Sequence, residues 1–106
     1  MIKSGIYLIV CQENNRYYVG RAESVYSMLS KHFELLKKNK HFNHELQADF
    51  NLYGLERFEG QFVQECFGSI ERKCMELKWF EKSENPYNGK ILKILKDTEF
   101  KYKDLA

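Results

Sequence analysis

Two short triplets stand either side of a polar turn: Gly5-Ile6-Tyr7 and Tyr18-Val19-Gly20. They set two phenols about ten residues apart. His32 follows Gly20 by twelve residues, Glu76 lies far downstream, and Asn88 closes the segment Asn85-Pro86-Tyr87-Asn88. Each side-chain type has its own chemistry. A carboxylate is a hard oxygen ligand of the kind Mg²⁺ accepts while keeping several waters. An imidazole titrates near neutrality, so it can pass a proton or grip a phosphate. A phenol near pKa 10 acts as a base only if nearby cationic charge lowers that value. Taken singly, each has a plainer reading. Tyr7 and Tyr18 suit a core that tolerates a hydroxyl. His32 on an apolar helix face reads as packing, and Glu76 as a solvated helix carboxylate near Lys73 or Lys78.

The cations fall into two sets. Arg21 follows Gly20 at the mouth of the turn, and Lys31 sits on the next helix. Lys37, Lys38 and Lys40 crowd that helix's C-terminal end. There they favour the dipole, and they also make a candidate patch for positioning phosphates. His41 and His44 share the i, i+3 spacing of a metal pair but lack a third ligand.

These residues need elements to hold them. Gly5–Cys11 is apolar and β-branched, which predicts a buried strand. Asn14-Asn15 marks a hairpin turn, and Arg16–Gly20 follows as a second, antiparallel strand. Ser24 is placed to cap a helix in which Val25, Met28, Leu29, His32, Phe33 and Leu36 recur at helical spacing. Asn43 caps a second helix, stopped at Gly54. Phe58–Phe67 reads as a third strand. Ser69 caps a last helix with an apolar stripe of Ile70, Cys74, Leu77 and Phe80. The order is β-β-α-α-β-α: an α/β (α+β) domain with a three-stranded antiparallel sheet and helices packed on it. One domain covers 1–106, with a core over 4–89 and a Lys-rich extension over 90–106.

With its elements in order, the sequence resembles the GIY-YIG nuclease superfamily. Gly5-Ile6-Tyr7 and Tyr18-Val19-Gly20 are the two name-giving triplets, with Val as a mild variant. Asn51-Leu52-Tyr53-Gly54-Leu55-Glu56-Arg57-Phe58 is similar to the family's turn before the third strand. Glu76 followed by Trp79-Phe80 resembles its last-helix signature, and Asn85–Asn88 its exit. The resemblance implies metal-assisted phosphodiester hydrolysis. It makes Tyr7, Tyr18, His32, Glu76 and Asn88 the catalytic set, with Glu76 the ligand of Mg²⁺ (or Mn²⁺). Tyr7 would orient or deprotonate the attacking water. Asn88 would bond the substrate or hold the cleft shut.

One position departs from the pattern. The family places an Arg one turn before the His, and here that position is Met28. A guanidinium fits two phosphate oxygens and stabilises the extra negative charge of the transition state, whereas methionine offers neither charge nor strong donor. The expectation is therefore a degenerate site, weak or inactive in cleavage. Such a domain would bind nucleic acid or a protein partner as a regulator or inhibitor. The alternative is an active endonuclease in which Arg21 or Lys31 replaces the missing Arg.

Composition narrows the partners. Seventeen Lys and Arg against fifteen Asp and Glu give a net charge of +2. Residues 1–89 hold twelve of each sign, so the excess lies in the last seventeen residues. Phosphate binding must come from a local patch such as Arg21, Lys31, Lys37, Lys38 and Lys40. No apolar run approaches the roughly 20 residues of a membrane span. The first residues lack the features of a secretion signal, and three cysteines without a CxxC read as reduced thiols. A cytoplasmic protein follows, with DNA or RNA as candidate ligand. Exposed aromatics on so small a chain suit a homodimer, and small copies of this fold suit a phage or mobile element.

Overall fold

The computed structural model describes residues 3–88. The Lys-rich extension lies outside the described residues. The elements are β1 (Gly5–Cys11), β2 (Tyr17–Ala22), α1 (Val25–Lys37), α2 (His44–Tyr53), a 3₁₀ turn (Leu55–Arg57), β3 (Phe58–Glu65) and α3 (Ser69–Glu81). The sheet is antiparallel, in the order β2-β1-β3.

β1 is the central strand, so both its faces need cover. Alternation sends Tyr7, Ile9 and Cys11 to one side, against Val25, Leu29 and Leu36 of α1 and Leu46 and Phe50 of α2. Ile6 and Leu8 go to the other, against Val19, Cys66 and Leu77 of α3. Two apolar faces explain why β1 reads as an unbroken apolar run.

Several boundaries differ from the sequence reading. β2 runs on to Ala22, and β3 stops at Glu65. Ser24 holds the N-cap position of α1, but its hydroxyl bonds the Ser27 hydroxyl at 3.0 Å instead of capping a backbone N–H. The cap of α3 is Gly68, and Ser69 is already helical. The packed face of α3 is also turned. Ile70 and Cys74 are exposed, while Arg72 and Glu76 are buried beside Leu77. Arg72 donates to Ser4 Oγ at 2.7 Å and to the Phe67 carbonyl at 2.9 Å, which offsets its burial. Asn43 caps α2 as its residue type predicts: Oδ1 accepts from Leu46 N at 3.0 Å, and Nδ2 donates to the Tyr87 carbonyl at 3.0 Å.

The exit segment returns along the outer edge of β2. Tyr87 N–H donates to the Tyr17 carbonyl at 3.0 Å. The Asn88 amide donates to Val19 O at 2.6 Å and accepts from Val19 N at 3.3 Å. Arg16 stacks on the Tyr87 ring at 4.2 Å and donates to the Asn85 carbonyl and Glu45. Tyr87 Oη donates to Asp49 at 2.7 Å. Among the described residues no helix is long and apolar enough to cross a membrane.

Two glycines are required by close approach. A Cβ on Gly5 would lie 1.9 Å from the Gln64 carbonyl oxygen. Gly20 faces Tyr7 across the β1–β2 ladder, and a Cβ there would lie 2.1 Å from Tyr7 Cζ. The Tyr7 ring therefore occupies the space that a side chain at 20 would take. Gly20→Ala is expected to cost about 1–3 kcal/mol by overpacking. It should also push the Tyr7 hydroxyl out of place. Urea unfolding checks the first effect, and an unchanged midpoint would contradict the packing argument.

Candidate active site

The site is built where β1, β2, α1 and the loop before α2 meet. Tyr7 and Tyr18 project to the same side of the sheet, towards α1. Tyr7 Oη lies 2.7 Å from His32 Nε2, and both residues are buried. His32 Nδ1 lies 2.7 Å from His41 Nε2. The Asn43 backbone N–H donates to His41 Nδ1 at 3.0 Å. Tyr18 completes the group, its ring 5.1 Å from that of His32 and 6.1 Å from that of His41.

The direction of this chain follows from its last link. A backbone N–H only donates, so Nδ1 of a neutral His41 carries no proton. Its proton is on Nε2 and goes to His32 Nδ1. His32 in turn holds its proton on Nε2 and donates it to Tyr7 Oη. Tyr7 thus accepts from His32, and its own hydroxyl proton points elsewhere. Both rings are neutral at pH 7. Burial, with His41 close by, lowers His32 to about 4, and burial lowers His41.

Stability should follow. An unfolded His takes up its proton near pH 6.5, well before folded His32 does. The contribution is fully present above about pH 6.5 and is lost as pH falls towards 4, by up to about 3 kcal/mol. Urea titrations at pH 7.5, 5.5 and 4.5 measure it. His32→Gln should flatten the dependence in that window, and parallel curves for the two proteins would contradict the assignment.

Arg21 and Glu76 form the second half of the site. Alternation along β2 turns Arg21, like Val19, towards α3. Its Nη1 lies 2.9 Å from Glu76 Oε1, and Glu76 is only 7% exposed. Glu76 is near enough to oppose ionisation of both phenols. Burial first, then Tyr18 and Glu76, raise Tyr7, while burial and then Glu76 raise Tyr18 to about 12. Tyr7 and Tyr18 are therefore neutral phenols.

The remaining candidates are placed as follows. Both ends of the Asn88 amide lie on the Val19 backbone, where they hold β2 to the chain exit. Met28 is half-buried and packs against the core between α1 and the sheet. Lys31 is exposed on α1. Lys37, Lys38 and Lys40 are exposed at the end of α1, with Lys38 2.9 Å from Glu34. His41 was legible only as half of a pair with His44. His44 is exposed, and both nitrogens of His41 are engaged elsewhere. Among the described residues no group of three His, Cys, Asp or Glu could hold a metal. A single buried carboxylate still fits Mg²⁺ or Mn²⁺, in the manner of sites completed by water and substrate phosphate.

This arrangement has relatives. The GIY-YIG catalytic domain matches residues 3–88. Intron-associated endonuclease 1 of Enterobacteria phage T4 is 35% identical over 91 residues, covering 82% of this chain and 37% of that protein. Probable intron-encoded endonuclease 1 of Neurospora crassa is 41% identical over 56 residues, covering 53% of this chain and 17% of that protein. The chain thus spans well under half the length of these relatives. The solved catalytic domain of homing endonuclease I-TevI superposes with a TM-score of 0.74 at 32% identity, covering 80% of this chain and 96% of that one. A mutant of that domain gives 0.69 at 32% identity, covering 76% and 84%. Fold, triplets and profile agree: the chain belongs to the GIY-YIG family.

Proposed function

We propose that this domain is a metal-dependent DNA endonuclease in which Arg21 supplies the cationic charge that Met28 does not. The observation carrying this reading is the Arg21 guanidinium 2.9 Å from Glu76, a buried carboxylate near enough to both tyrosines to oppose their ionisation. Relatives named as intron endonucleases make DNA the expected substrate.

Glu76 would hold Mg²⁺ or Mn²⁺, which when bound polarises the phosphoryl group as a Lewis acid. The other roles belong to the chain itself. Arg21 presents its planar fork to non-bridging phosphate oxygens, where negative charge grows in the transition state. Tyr7 positions the attacking water. Its oxygen accepts from His32 Nε2–H, which fixes the neutral phenol and leaves its own O–H to hydrogen-bond that water. His32 does not take the Tyr7 proton, because the chain behind it ends at a backbone N–H that cannot accept. Tyr18 walls the cleft, and Lys37, Lys38 and Lys40 attract the phosphate backbone.

A second reading has its own observation. Met28 packs as a core residue on the tyrosine side of the sheet, while Arg21 faces α3. A site arranged so would bind DNA or a protein partner without cutting. Plasmid incubated with Mg²⁺ or Mn²⁺, alongside Glu76→Ala, separates the two. Cleavage by the wild type that is lost in the variant supports the first reading. No cleavage, with gain on Met28→Arg, supports the second.

A further inference from the structure

One aromatic beside the buried histidines is left outside that chemistry. Phe42 lies between the Lys-rich end of α1 and the cap of α2, and it is 58% exposed. Isolated exposed apolar residues are common and carry no message. Phe42 is not isolated. Its ring stacks on His41 at 4.4 Å and 24°. It stands edge-on to Tyr18 at 6.1 Å and lies 5.8 Å from the His32 ring. His41 is fixed by hydrogen bonds at both ring nitrogens, so it cannot turn away from beneath Phe42. Phe42 is thus an oriented phenyl with one face supported by His41 and more than half of its surface in solvent. Lys40 is two residues before it in the chain, and Lys37 and Lys38 are close behind, all exposed.

A supported, open π-face beside a cationic stretch is how proteins hold single-stranded nucleic acid. Lysines track the backbone while bases stack on the ring without regard to sequence. We propose that Phe42 is the stacking platform for an unpaired nucleobase of the bound DNA strand. This rests on DNA being the substrate, as argued above. It adds a preference for duplexes in which a base is already unstacked, since extruding a paired base costs free energy that such a site never meets.

The test uses the full chain in EDTA at one fixed salt concentration, so that cleavage does not intervene. Affinities are measured for three labelled duplexes: fully paired, carrying one bulged base, and carrying an abasic residue at the same bulge. The wild type should prefer the bulged base to the abasic residue by about 5- to 150-fold, the range expected for one base–aromatic stack. Phe42→Leu keeps an apolar cover over His41 but offers no π-face. It should bind the two bulged duplexes equally and the paired duplex as the wild type does. Phe42→Trp should retain the preference. A wild type indifferent to the base, or a preference surviving in Phe42→Leu, overturns the proposal. If the paired duplex binds normally in either case, only this inference falls. If no duplex binds at all, the DNA reading falls with it.

Discussion

Arg21→Ala is expected to lower Mg²⁺-dependent cleavage by about 10²–10³-fold, the usual loss when one preorganised donor to a developing oxyanion is removed. Binding should change far less. One phosphate contact fewer reduces the slope of log K against log salt by only about 1. Arg21→Lys keeps the charge but loses the planar fork, so it should fall between the two. Met28→Arg completes the experiment. If Arg21 already serves the phosphate, an arginine at 28 should change the rate less than about tenfold. The measurement is initial nicking rate on supercoiled plasmid. Equal rates for wild type and Arg21→Ala would remove Arg21 from the chemistry.

Glu76→Gln should be more severe still. A metal Lewis acid supplies several kcal/mol at the transition state, and each 1.4 kcal/mol is tenfold, so cleavage should drop by ~10³-fold or more. Glutamine is chosen because it keeps the shape and can still accept from Arg21, so folding is largely spared. Thermal unfolding without metal should be close to wild type. Mn²⁺ binding, followed by electron paramagnetic resonance, should be lost. Retained Mn²⁺ binding would move the metal off Glu76 altogether.

The fold was largely legible because its signals are local. The apolar run of β1, the Asn-Asn turn and the 3.6-residue recurrence on α1 each need only a short window. So does the Asn43 cap, where an amide three residues from the Leu46 N–H does the work. The face of α3 was not legible, for a physical reason. Stripe reading assumes that what is buried is apolar. On α3 the buried residues include Arg72 and Glu76, because one bonds Ser4 and Phe67 and the other meets Arg21. Ile70 and Cys74 are correspondingly left outside.

The site shows the same division. Tyr7, Tyr18, His32 and Glu76 could be singled out through the resemblance to the GIY-YIG family, and the fold brings Tyr7 and Tyr18 against His32 with Glu76 near both phenols. His41 could not be given its partner, since the ring it meets is His32, nine residues earlier across the turn that ends α1. Arg21 could be named as a cation, but its carboxylate partner lies 55 residues away. The role of Gly20 also emerges only in three dimensions, from the phenol lying over it.

The chain's return along β2 also bears on how molecules of this protein meet in concentrated solution. With Tyr87 and Asn88 already bonded to Tyr17 and Val19, that margin is closed to zippering by a neighbour's backbone. The opposite margin, β3, carries the exposed carboxylate Glu59, while Glu65 pairs with Lys3 at 3.5 Å. Two copies brought together there would set like charges against each other. The fold thus guards one flank by self-coverage and the other by repulsion, and aggregation through the sheet is discouraged on both.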